Sequence, residues 1–159
     1  MWIMFVLAVL TSITGAQYVL HQTSMAEVAS SQGAPTALAD NFFVYSNAVG
    51  RFVAAQPLGY TAPWAANSVP DAFLSFPPWY VRDARWRNKV IGGTVTIYAA
   101  APIAGVEFGD LLAQRTDFAF GAGTTAATRE IVSAVHGPTG IFAPVGVPAA
   151  VPVFQVRLN

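Results

Sequence analysis

The first ten residues, MWIMFVLAVL, carry no polar side chain. Small and semi-polar residues follow as far as Ala16, and then Gln17-Tyr18-Val19-Leu20. The first charged side chain is Glu27 and the first basic one is Arg51. A helix over residues 2–20 would be about 28 Å long, close to the ~30 Å hydrocarbon core of a bilayer. Trp2 and Tyr18 fall near its two ends, where amphipathic rings favour the membrane–water interface. Residues 1–20 therefore read as a transmembrane anchor. Thr14-Gly15-Ala16 before Gln17 also fits a signal-peptide cleavage site, although no Lys or Arg precedes it. Ala8, Ser12 and Ala16 recur every four positions, so they share one face of such a helix. Small residues there would let a second transmembrane helix approach closely.

Residues 21–32 are polar with good helix formers and read as an extension of this helix, which Gly33-Ala34-Pro35 breaks. A further helix is predicted from Pro35-Thr36, where proline in the first turn costs no hydrogen bond, to about Gln56, ahead of Pro57. Within it Leu38, Phe42, Tyr45, Val49 and Phe52 step by four, three, four and three, an amphipathic stripe suited to a core. Residues 58–80 are punctuated by Pro63, Pro70, Pro77 and Pro78 and read as a loop, with one helical turn near Pro70. Residues 90–99 predict a strand with Gly92-Gly93 as a bulge, and 104–115 a short helix. Residues 117–121, through Phe118 and Phe120, predict a second strand. Residues 130–136 predict a third, ended by Gly137-Pro138-Thr139-Gly140. Residues 151–158 predict a last strand whose start Pro152 puts at an edge. The fold class is therefore α+β. A long N-terminal helix with a membrane-spanning start precedes a small, mostly antiparallel sheet of about four strands. The chain divides into an anchor (1–20), a helical extension and break (21–35) and one α+β domain (36–159), expected in the periplasm.

Length and charge narrow the picture. A chain of 159 residues fits one domain. Eight basic and eight acidic side chains balance to zero, which argues against nucleic acid as a partner. Only 10% of residues are charged and mean hydropathy is +0.48, which excludes disorder. Without cysteine there is no disulfide, thiolate nucleophile or Cys-ligated zinc.

Catalytic signatures are missing. No G-x-S-x-G, phosphate-binding G-x-x-x-x-G-K-[ST] or H-E-x-x-H is present. Gly121-Ala-Gly-Thr-Thr lacks a following Lys and reads as a hairpin turn. His21 sits at the expected membrane–water boundary, and His136 precedes Gly-Pro at a strand end. Two histidines so far apart make no metal site. No enzyme activity, cofactor or metal is therefore expected. One stretch stands out: residues 77–89 hold two of the four Trp and four of the eight basic residues. Trp79, Tyr80, Arg82, Arg85, Trp86 and Arg87 combine the types found at interaction hot spots and membrane surfaces. The same types also stack as cation–π pairs that simply tie down a loop. Both readings stay open on sequence alone.

The order of segments resembles a known family. After the apolar start come Asn41-Phe42-Phe43-Val44-Tyr45-Ser46-Asn47-Ala48-Val49, then Leu74-Ser-Phe-Pro-Pro-Trp-Tyr, Trp86-x-Asn88, Gly92-Gly93-x-Val95-x-Ile97-Tyr98 and His136-Gly-Pro-Thr-Gly-Ile141. This resembles the PilM family of type IVb pilus systems, found in gene clusters for conjugative thin pili. It is unlike the longer, cytoplasmic, nucleotide-binding actin-like protein that shares the name. The resemblance implies an inner-membrane protein needed for pilus assembly, acting as a scaffold or assembly factor without known catalysis. It implies partners among pilus-assembly proteins or pilins, is compatible with a homo-oligomer, and supplies no site residues. A minor-pilin-like subunit fits less well, because Gly15 has no basic leader and the fifth residue after it is Leu20. A secreted or periplasmic binding domain with a cleaved signal peptide is the remaining alternative.

Overall fold

The four-three spacing of apolar residues winds residues 35–54 into helix α1, and Pro57 prevents its continuation. The structure is a computed structural model that describes residues 35–103, 108–117 and 119–158. Residues Ala37–Asn159 form one compact unit. Phe42, Tyr45 and Val49 of the expected stripe are fully buried, joined by Ala39, Ala48 and Val53, while Leu38 and Phe52 pack at the margin.

Beyond α1 the chain runs through single 3₁₀ turns at Ala65–Asn67 and Asp71–Phe73, the second starting from Pro70 as the sequence suggested. Six strands then form one sheet: β1 (Trp86–Ile91), β2 (Thr94–Ala99), β3 (Ala122–Thr125), β4 (Glu130–Ser133), β5 (Gly137–Phe142) and β6 (Pro152–Arg157). Helix α2 (Phe108–Arg115) lies between β2 and β3 in the chain. All pairings are antiparallel, in the order β1-β2-β6-β3-β4-β5. α1 and α2 share one face of the sheet and meet there. Phe42 stands edge-on to Trp86 of β1 at 5.1 Å and to Phe108 of α2 at 5.9 Å. Asp40 and Arg115 add an ion pair between the two helices at 2.5 Å. The other face is covered by the 143–151 loop. Its Val151 is buried, the Thr125 hydroxyl donates to the Pro148 carbonyl at 2.7 Å, and Lys89 Nζ donates to the Val145 carbonyl at 2.5 Å.

The expected architecture needs correction on several points. The sheet has six strands rather than about four. Gly92-Gly93 is not a bulge within one strand. It is the two-residue turn of the β1–β2 hairpin, with φ of +55° and +75° at the two glycines. The Gly-rich patch is likewise no turn but strand β3 with its entry. Glycine is required there because a Cβ at Gly121 would lie 1.9 Å from the Gln155 carbonyl oxygen, and one at Gly123 2.2 Å from that of Val132. Residues 137–140 do not end the pairing but begin β5. β6 is internal, and Pro152 is tolerated because it is the first residue of the strand and β2 pairing begins only at Val153.

No long N-terminal helix with a membrane-spanning start is found among the described residues, and no helix among them is long and apolar enough to cross a membrane. An inner-membrane anchor with a periplasmic C-terminal domain is therefore not supported by the described residues. The segments 1–20 and 21–34, with Ala8, Ser12, Ala16 and His21, lie outside the described residues.

Candidate partner-binding surface

Two asparagines organise the aromatic and basic stretch. Asn41 and Tyr45 are one helical turn apart on α1, a rise of about 6 Å. Trp86 and Asn88 are two residues apart on β1, a rise of about 6.6 Å, and therefore point to the same face. The two spacings match, so the pairs meet rung by rung. The indole Nε1 of Trp86 donates to Asn41 Oδ1 at 2.8 Å, and Asn88 Nδ2 donates to the Tyr45 hydroxyl at 2.7 Å. Asn88 is only 2% exposed and is fully used. It also donates to the Val69 carbonyl at 2.9 Å and accepts from the Val69 amide at 2.7 Å, pinning the 3₁₀ region. Asn41 reaches further into the stretch, donating to the Val81 carbonyl at 2.8 Å and accepting from the Tyr80 hydroxyl at 3.1 Å and the Asp83 amide at 3.3 Å.

Most of the sequence-predicted contact residues are spent on this framework. Trp86 is fully buried. Tyr80 turns inward, stacked on Phe76 at 5.0 Å, and burial pushes its hydroxyl up to about 12. Arg82 pairs with Asp71, lies 4.9 Å over the Tyr45 ring and donates to the Trp86 carbonyl at 2.5 Å. Arg85 folds back on Asp83 with bonds of 2.5 and 2.9 Å, and this hydrogen bonding holds the carboxyl below its ordinary range. Arg87 donates to the Ala84 carbonyl at 2.6 Å. The cation–π reading therefore describes Arg82, and an Arg82 replacement cannot separate binding from folding.

Trp79 remains, 72% exposed, and beside it Val81, 81% exposed, which sequence reasoning passed over. Trp79 is the third residue of a turn over residues 77–80, closed by the Tyr80 amide donating to the Pro77 carbonyl at 2.9 Å, and Tyr80 turns inward while Trp79 and Val81 stay exposed. No local pattern in the sequence signals that exposure. A recess of about 370 Å³ runs behind the strap, walled by Ala37, Asp40 and Val44 of α1. The strap is held at the Val81 carbonyl and the Tyr80 hydroxyl, so two large apolar side chains are presented to solvent from a fixed backbone.

The acids and histidine offer little else. Asp40, Asp71 and Asp83 are each committed to an arginine. His136 stacks on the exposed ring of Phe120 at 4.2 Å. Among the described residues no group of three or more His, Cys, Asp or Glu could hold a metal.

No curated protein and no solved structure matches the chain. The family model PilM matches residues 8–155, almost the whole sequence, and the chain belongs to the PilM family.

Proposed function

We propose that this protein is a non-catalytic factor of pilus assembly that holds another pilus-assembly protein against the Trp79–Val81 strap. Membership of the PilM family ties the chain to pilus assembly and to the proteins of that process. The observation that carries the finer reading is the fixed strap. Trp79 and Val81 face solvent while four hydrogen bonds to Asn41 hold the segment behind them. Exposed aromatics on a rigid backbone lose little conformational freedom on binding, and Trp is among the residue types enriched at hot spots. A scaffold role needs only such a surface.

The test is the pair Trp79→Ala and Val81→Ser in the full chain. Both should keep the thermal midpoint, because both side chains are largely exposed. Piliation should fall, since truncating a hot-spot aromatic weakens binding by about tenfold or more. Wild-type piliation in the doubly substituted protein would refute the assignment.

A further inference from the structure

The sheet has two outer strands, β1 and β5, and their edges are finished differently. The edge of β1 is covered by the chain itself. The Ala62 amide donates to the Val90 carbonyl at 3.1 Å, the Gly93 amide to the Tyr60 carbonyl at 2.8 Å and the Gly92 amide to the Thr61 hydroxyl at 2.9 Å.

β5 instead departs from regular strand geometry. Val132 faces Pro138 and Glu130 faces Phe142, so Thr139, Gly140 and Ile141 all stand opposite the single residue Ile131. Such extra residues make a bulge, which bends and twists a strand. A Cβ at Gly140 would meet nothing within 4 Å, so its φ of +70°, and not crowding, calls for glycine there. Side chains fix the bulge in place. The Thr139 hydroxyl donates to the Ile131 carbonyl at 2.7 Å and accepts from the Ile141 amide at 3.3 Å. Glu130 Oε1 accepts from the Gly140 amide at 2.9 Å. Pro138 has no amide at all. Three of the six residues of β5 therefore have no amide to offer an incoming strand.

An outer strand is a template for pairing with another chain. The hazard is marked here, because only 10% of residues are charged and the two signs cancel. Copies of the chain are not held apart by net charge. Phe142, 56% exposed, adds apolar surface at the same edge. We propose that the bulge and Pro138 together are a guard that stops β5 from pairing with β5 of a second copy of this chain. With β1 covered and β5 guarded, neither outer strand accepts an added strand, so a partner must be met through side chains. The proposal does not depend on the Trp79–Val81 strap.

The test compares self-association of the full chain and its variants by sedimentation over a concentration series, with thermal melts reporting that each variant folds. One variant deletes Thr139 and Gly140 and carries Pro138→Val, which leaves one residue opposite Ile131 and restores a regular strand. A second keeps the chain length and carries Pro138→Thr, Thr139→Val and Glu130→Ala, which restores an amide at position 138 and frees those of Gly140 and Ile141. Each should associate at least about tenfold more tightly than the wild type, the worth of one or two added backbone hydrogen bonds. Adding Phe142→Lys sets like charges against each other across the seam and should return either variant to wild-type behaviour. Folded variants that associate no more tightly than the wild type would overturn the proposal. So would association that survives Phe142→Lys, which puts the contact elsewhere. Failure of both variants to fold would overturn it too, because the bulge would then be a requirement of the β4–β5 hairpin and not a guard.

Discussion

Asn88 shows how much a single buried amide can hold. Its side chain serves the Tyr45 hydroxyl and both polar groups of Val69. Asn88→Ala would leave those three groups buried without partners, and each orphaned group costs about 1–3 kcal/mol. We expect a loss of at least about 3 kcal/mol in denaturant unfolding, against about 1 kcal/mol for Tyr45→Phe. Tyr80 gives a pH signature. Burial raises its hydroxyl from 10.0 to about 12, so the folded state prefers the neutral phenol. Its contribution is therefore complete below pH 10 and is lost as pH rises toward 12. Tyr45 and Tyr98 are raised by burial as well, so Tyr80→Phe should make the alkaline loss of stability shallower without removing it. Urea titrations across that range check this, and an unchanged slope would count against it. At this scale the sequence displayed the right residue types in its Asn41–Val49 and Trp86-x-Asn88 segments. It could not display their pairing, because the partners are 43 and 45 residues apart.

At the scale of elements, α1 was the most readable, because its periodicity is strong and Pro35 and Pro57 bracket it. Phe42 is the centre of its packing, touching Trp86 and Phe108 edge-on. Phe42→Ala should cost about 3–5 kcal/mol, measured as a fall in the unfolding midpoint. A preserved midpoint would mean the helix is held by something other than this contact. Short strands were harder. β3 is only Ala122–Thr125, with a glycine and two threonines, and carries no apolar alternation. Its glycines look like a turn in sequence, yet they are there because neighbouring backbone carbonyls leave no room for a Cβ. β1 was hidden for a different reason. Arg87 and Lys89 alternate with buried Trp86, Asn88 and Val90, and a buried polar residue breaks the simple pattern of a strand.

For the whole molecule, the decisive feature is where β6 sits. It is the last strand in the chain, yet it lies between β2 and β3 and joins the β1–β2 hairpin to the β3–β4–β5 meander. Without it the two parts share no strand pairing. Deleting residues 152–158 should therefore abolish the cooperative unfolding transition, although only the chain's end is removed. Circular dichroism and calorimetry read this directly, and a truncated chain with a normal transition would show that α1 and α2 alone hold the parts together. The composition, the amphipathic helix and the family resemblance all rest on local order along the chain, and the sequence by itself determined them. Short-range spacing sets helical and strand period, and motifs are contiguous. Strand order, the inward turn of Tyr80, Arg82 and Trp86, and the outward turn of Trp79 and Val81 were decided only by tertiary structure. They depend on contacts between segments far apart in the chain, as Tyr80 and Trp86 with Asn41, 39 and 45 residues away, where packing and hydrogen bonding choose which face of a segment is buried.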